Sequence, residues 1–262
     1  MVQFAVCPVF MGAMGAEPQE INVCSLAFAI LILYKGVEHV QSMSSGSQIQ
    51  EMIGDLDCRS INTRIRQLTN TLALIARSDT TVVPKGYFWP TMIDRDGTVS
   101  TGTCNQTTVA LSALLKTGFI DRRLTDHMLH PIDGITDDEL KERYKLIVGA
   151  LSWLINCQKG ENNQAWSYGS DCRTEDGRSI EYAVLSSHFC YETLKKYHDF
   201  FETPTLGITS YVNLVDSTMV DRIRASCENY ERWARNKIRS SRDGGVAKSN
   251  IYGDNEHSVL HT

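Results

Sequence analysis

The eight cysteines, at positions 7, 24, 58, 104, 157, 172, 190 and 227, include no Cys-x-x-Cys pair. That excludes paired zinc knuckles and gives no disulfide framework. Cys24, Cys157, Cys190 and Cys227 lie in apolar helical patterns instead, where a free thiol acts as a small hydrophobe. Reduced thiols and a cytoplasmic location are expected. There is no excess of positive charge either. The net charge is −5 and the pI about 5.8, which removes any global drive toward nucleic acid or anionic lipid. Long apolar runs are lacking. The longest, Leu26 to Tyr34, falls short of the roughly 18–20 residues of a membrane span and reads as a buried helix, not an anchor. The apolar segment Met1–Ala16 ends in Ala13-Met14-Gly15-Ala16, similar to a signal-peptide cleavage site. It has no basic n-region, and Pro8 interrupts it, so secretion is not expected. No convincing strand alternation exists. Only Thr80–Pro84 and Thr209–Val215 tempt a strand reading, and both are short. Also missing are a Gly-x-Ser-x-Gly elbow, a phosphate-binding Walker loop, a dinucleotide fingerprint, a His-Glu-x-x-His zinc helix and an EF-hand loop.

What is present is helix. In 262 residues, 42% are hydrophobic and 22% charged, an ordinary globular balance that excludes collagen, disordered tails and low-complexity linkers. Apolar residues recur at helical spacing in six stretches: Leu26, Ile30, Leu33, Val37; Ile61, Ile65, Leu68, Leu72, Ile75; Val109, Leu111, Leu114, Leu115; Leu140, Tyr144, Ile147, Leu151, Leu154; Tyr182, Leu185, Phe189, Leu194; and Val220, Ile223, Cys227, Tyr230, Trp233. Thr136-x-x-Glu139 is a capping-box start for a helix over 137–157, with Asp137 and Asp138 in its first turn. Pro204 and Gly207 end another helix near 201.

Three loops share their chemistry. Gly86-Tyr87-Phe88-Trp89-Pro90 precedes Asp96-Gly97-Thr98-Val99, and Gln164-Ala165-Trp166-Ser167-Tyr168-Gly169 precedes Asp176-Gly177. Asp243-Gly244-Gly245-Val246 precedes Tyr252-Gly253. A charged helix comes before each loop and a more apolar one begins after it. The apolar helices start near 21, 103, 179 and 256, with successive differences of 82, 76 and 77. This is a helix-pair repeat with a long decorated loop. We expect one all-α domain over 1–262, an α/α-toroid-like array of helix hairpins in units of roughly 1–78, 79–157, 158–238 and an incomplete 239–262. A single hairpin cannot bury its apolar face, so neighbours must stack. An array that begins before one apolar helix and stops one turn into another is expected to be partial. Its open ends should require a protein partner or a second copy.

The unit from Ala150-Leu151-Ser152-Trp153-Leu154-Ile155-Asn156-Cys157-Gln158 to Ala165-Trp166-Ser167-Tyr168-Gly169 resembles the repeat of the terpene-cyclase and prenyltransferase family. That repeat joins a helix ending in Trp-Leu-x-x-x-Gln to a Gly-rich loop with Trp-x-x-Gly. Arg232-Trp233 with Asp243-Gly244-Gly245-Val246 resembles it again, and Trp89 with Gly118 gives a further copy. The resemblance covers most of 58–262. It implies a toroid whose inner helices line a central cavity, and an apolar or isoprenoid ligand. It says less about activity, because one fold hosts many chemistries.

The family's catalytic motifs do not carry over. The Asp-x-Asp-Asp acid is absent, and Asp55-Leu56-Asp57-Cys58 lacks its last aspartate. The magnesium-binding Asp-Asp-x-x-Asp is absent too, since Asp137-Asp138-Glu139-Leu140-Lys141 fails at its fifth position. The family's zinc set needs Asp-x-Cys and a later His. Here Asp171 and Cys172 are adjacent instead of spaced, while His257 and His261 fall where that His would lie. The two histidines sit one helical turn apart and are metal-ligand candidates with Cys172; the alternative is a solvated chain end. No cofactor is expected, zinc being the one metal the pattern leaves room for.

The remaining candidates follow from repeat position. Cys104, Asn105 and Thr107 open one apolar helix, and Glu181 and Tyr182 stand at the same place one repeat later. They either receive an anion or ligand or simply cap the helix. His188, with Tyr191 and Glu192, is an acid–base candidate or a satisfied core histidine; Glu181 is the other catalytic candidate. Trp89, Trp166 and Tyr168 either pack between helices or stack a ligand at a rim. Arg232, Arg235, Arg239 and Arg242 form a basic stripe that Glu228 and Glu231 dilute, which reads as a solvated face. The expected function is therefore a prenyltransferase-like repeat module for ligand or protein binding and assembly. The alternative is an isoprenoid-type cavity enzyme, or a carbohydrate-active one, whose site another chain or a missing segment completes.

Overall fold

A computed structural model describes residues 20–43, 58–82, 85–94, 102–120, 136–159, 164–166, 184–202 and 217–244. Among these residues the fold is all-α, with six helices and four three-residue strands. In chain order the elements are β1 (Glu20–Asn22), α1 (Val23–Met43), α2 (Cys58–Leu74), β2 (Arg77–Asp79), β3 (Gly86–Phe88), β4 (Met92–Asp94), α3 (Cys104–Lys116), α4 (Asp137–Asn156), α5 (Val184–Glu202) and α6 (Ser217–Gly244). The strands form two antiparallel ladders. β1 pairs β4 with Ile21 opposite Ile93, and β2 pairs β3 with Ser78 opposite Tyr87. Neither ladder was predicted, because three residues are too few to express a period of two. Of the two tempting stretches, 80–82 is a turn and bend, while 83–84 and 209–215 lie outside the described residues.

The chain divides into two compact units. The first draws its described residues from Met1–Ala76, Thr91–Ser100 and Val109–Arg143. Asn22 caps α1 by accepting the Ser25 N–H at 2.9 Å, and the Val23 N–H goes to the Thr91 carbonyl at 3.3 Å. Two orphan donors of the helix start are thereby satisfied. Val23, Leu26, Ala27, Ile30, Tyr34 and Val37 make the buried stripe of α1, which packs on α2 through Ile65, Leu68 and Leu72. Full burial of a side chain such as Leu26 or Ile30 contributes roughly 1.5–3 kcal/mol. The opposite side of α1 exposes Phe28 (50%) and Ile32 (60%) in its first half, and Lys35, Gly36 and His39 in its second. The segment Val23–Val40 is 18 residues long, with only Lys35 and Glu38 charged, and is long and apolar enough to cross a bilayer. An uninterrupted-run count understates it. Less than half of that window is buried within the fold.

Gly118 ends α3 at φ 69°. Its N–H bonds the Leu115 carbonyl at 3.1 Å, and the Phe119 N–H bonds that of Leu114 at 3.0 Å. This is a Schellman stop, with Phe119 and Leu114 both buried. Arg143 lies over the Phe119 ring at 4.5 Å and donates to the Phe119 carbonyl at 3.2 Å, to Glu139 at 2.7 Å and to Asn70 at 3.4 Å.

The second unit draws on Arg77–Pro90, Thr101–Thr108 and Tyr144–Thr262. Here α4 carries the clearest stripe of the chain. Tyr144, Ile147, Leu151 and Leu154 are buried, as is Leu140 in the preceding unit's portion of the same helix. The expected cap is present, since the Glu139 N–H reaches Thr136 Oγ1 at 3.2 Å; the Glu139 carboxylate turns to Arg143. Trp153 holds the β2–β3 ladder by donating Nε1 to Asp79 at 3.1 Å and setting its ring 5.5 Å from Phe88. Gly149 permits this approach. A Cβ there would stand 2.5 Å from the Lys85 carbonyl oxygen. α5 packs on α6. Of the expected α6 stripe, Ile223, Cys227, Tyr230 and Trp233 are buried and Val220 is half-buried, with Met219 added to the core. On α5 the expectation fails at Phe189, which is 43% exposed. The buried face there is Ser186, Ser187, Cys190, Thr193, Leu194 and Tyr197. Small hydroxyl side chains occupy core positions that an apolar count cannot recognise.

Candidate functional site

Trp89 and Trp166 are both fully buried, with no ring surface exposed to solvent. Each is held by a hydroxyl from the helix that follows its loop. The Trp89 N–H donates to Thr107 Oγ1 at 3.2 Å, and the Trp166 N–H donates to Ser187 Oγ at 2.9 Å. Ser187 also donates to the Trp166 carbonyl at 2.9 Å, and Trp166 Nε1 donates to the Leu154 carbonyl at 2.8 Å. In both places a loop tryptophan is thus locked by a hydroxyl of the helix that follows. Gln158 is buried and ties the Trp166 loop to α6. Its amide donates to the carbonyls of Gln164 at 3.3 Å and Ser226 at 3.0 Å, and its Oε1 accepts from Ser226 Oγ at 2.6 Å.

The start of α3 is polar and buried. Thr103 accepts the Gln106 N–H at 3.2 Å as the cap, and Thr107 and Thr108 are buried behind it. Cys104 and Cys157 are both buried free thiols. The influence of Cys104 first, and then burial, push the Cys157 thiol far above its ordinary range. The Asn105 carbonyl accepts from Thr108 Oγ1 at 2.8 Å, whereas Asn105 Oδ1 is buried without a hydrogen-bond partner. An acceptor in that state costs about 1–3 kcal/mol.

His188 is exposed at one end of an aromatic row on α5 and α6, its ring 6.5 Å from those of Phe189 and Tyr191. Tyr191 stacks on Tyr230 at 4.7 Å, and Tyr230 in turn lies 6.2 Å from Trp166 and 5.8 Å from Trp233. The hydrogen-bonded set is Tyr191 with Glu231 and Lys195. The phenol donates to Glu231 Oε1 at 2.9 Å, and Lys195 Nζ donates to the phenol oxygen at 3.3 Å. Burial and then Glu231 raise the Tyr191 phenol, so it stays protonated and acts as a donor. Burial pushes Tyr230 up to about 12. Sequence reasoning named His188 and Tyr191 but missed Glu231 and Lys195 as partners. The Tyr191–Lys195 spacing of one helical turn was the available signal for one of them.

Glu181, Tyr182, Tyr168, Asp171, Cys172, His257 and His261 lie outside the described residues. Among the described residues no group of three His, Cys, Asp or Glu side chains is placed to hold a metal ion. No family model, no curated protein and no solved structure matches the chain.

Proposed function

We propose that the chain is a prenyltransferase-like helical-repeat module, arranged as part of an α/α toroid, that assembles with a second copy of itself. The observation that carries this reading is the apolar side of α1, where Phe28 and Ile32 face solvent while the other side is packed on α2. A repeat array grows by one unit packing on the next of its kind, so the exposed apolar surface of α1 is suited to another unit of the same chain. The paired tryptophan locks support the repeat itself. In this reading the chain works in the reducing cytoplasm and needs no cofactor.

Light scattering on the purified chain tests it. A defined oligomer that becomes a monomer in the Phe28→Lys/Ile32→Lys double variant, with unchanged helicity, supports the proposal. A monomeric wild-type chain overturns it, and so does partition of the chain into vesicles through α1. The second reading, a cavity enzyme of isoprenoid or carbohydrate chemistry, draws on the buried polar start of α3 and the orphan Asn105 Oδ1. Native mass spectrometry showing a bound isoprenoid-type lipid, or stoichiometric zinc, would favour that reading instead.

A further inference from the structure

Between Val23 and Val40, five positions of α1 are exposed: Phe28, Ile32, Lys35, Gly36 and His39. Three- and four-residue steps separate them, so they form one stripe along the helix. Ile32, Lys35, Gly36 and His39 follow the spacing i, i+3, i+4 and i+7. Four residues so spaced surround a hole on a helix surface, the kind that receives a side chain from a facing helix. Gly36 leaves one wall of this hole open, since a Cβ added there would meet nothing within 4 Å. Phe28 supplies a large ring on the same stripe, 50% exposed. Ile32, 60% exposed, stands midway, four residues after Phe28 and four before Gly36. The knob and the hole are therefore placed symmetrically about Ile32, each roughly 6 Å from it along the axis.

We propose, building on the self-assembly reading above, that two copies pair their α1 helices antiparallel across a two-fold axis at Ile32, so that Phe28 of each copy fills the hole beside Gly36 of the other. A two-fold axis makes every contact reciprocal, and a surface whose knob and hole are equidistant from one residue satisfies that condition. Charge selects the direction. Parallel pairing sets each residue opposite itself, which brings Lys35 against Lys35 and leaves a void between the two Gly36 positions. Antiparallel pairing offsets the two Lys35 residues by about 9 Å along the axis. It also sets each Lys35 at the rim of the hole that receives a Phe28 ring, where a cation and an aromatic face attract. The Lys35 side chain is 66% exposed and available for this, although its ammonium donates to Glu38 at 2.6 Å.

Light scattering on the full-length chain tests the pairing. Gly36→Phe fills the hole from a solvent-facing position and should halve the mass, with helicity unchanged. Phe28→Ala/Gly36→Phe moves the ring across the seam and should restore the wild-type mass. Cysteine cross-linking reads the direction even if the swapped chain folds poorly: a Phe28→Cys chain mixed with a Gly36→Cys chain should give a 28–36 disulfide. A dimer in Gly36→Phe, no recovery in the folded swap, or a Gly36→Cys chain that links to itself in place of the 28–36 pair overturns this geometry and leaves self-assembly standing. A monomeric wild-type chain, or one that buries α1 in phosphatidylcholine vesicles, overturns both.

Discussion

Removing the Ser187 hydroxyl tests the tryptophan lock at its strongest point. Ser187 Oγ accepts the Trp166 N–H and donates to the Trp166 carbonyl, both at 2.9 Å, and both residues are fully buried. Ser187→Ala keeps the shape of the side chain within one atom, so little cavity is made. It strips a backbone donor and a backbone acceptor of their partner in a place water does not reach. Each orphaned group costs about 1–3 kcal/mol, so the substitution should destabilise the fold by about 2–6 kcal/mol. The matching change at the other tryptophan, Thr107→Val, orphans one N–H held by a longer bond of 3.2 Å. It should cost about 1–2 kcal/mol. Urea unfolding followed by far-ultraviolet circular dichroism measures both, with an unchanged m-value showing that only stability moved. A Ser187→Ala variant within about 0.5 kcal/mol of wild type, or one less damaging than Thr107→Val, would refute the argument that these hydroxyls hold the loops.

Gln158 and Ser226 should be coupled, since Ser226 Oγ donates to Gln158 Oε1 at 2.6 Å in the core; a Gln158→Ala, Ser226→Ala double-mutant cycle should return about 0.5–3 kcal/mol. Gly118→Ala should cost about 1 kcal/mol through its φ of 69°, read as a lower urea midpoint. At high pH the fold should weaken. Tyr230 and Cys227 are each pushed up to about 12 by burial, from ordinary values of 10.0 and 9.0. The folded state therefore holds protons that the unfolded chain has released. The stabilisation is complete below pH 9 and is lost as the pH rises through about 12, which a spectroscopic alkaline titration alongside circular dichroism should show as tyrosine ionisation coincident with unfolding.

The helices were legible because their apolar residues repeat at the helical period over many turns. α4 shows this best. Its five expected core positions are all buried, and its Thr136 cap lies where the sequence places it. The stripe of α5 was misread at Phe189 because its core face is carried by Ser186, Ser187 and Thr193. Those hydroxyls count as surface residues until their partners are known. Of the candidate site, the repeat tryptophans and His188 could be named from sequence, but the burial of Trp89 and Trp166 could not. Nor could the bond from Tyr191 to Glu231, forty positions away. The pairing of β1 with β4 was hidden for the same reason: its partners are some seventy residues apart.

The sequence alone determined the all-α class, the order of the six described helices, the cap of α4 and the recurrence of a loop tryptophan before an apolar helix. Each of these rests on local periodicity or on contacts within one or two turns, and such information is written along the chain. The tertiary structure decided which hydroxyl locks which tryptophan, that Gln158 joins a loop to α6, that Cys104 and Cys157 are buried, and that Phe28 and Ile32 stay exposed. Those outcomes depend on which faces meet in space. A hydroxyl, an amide or a thiol takes its role from the group it is pressed against, and that neighbour comes from elsewhere in the chain.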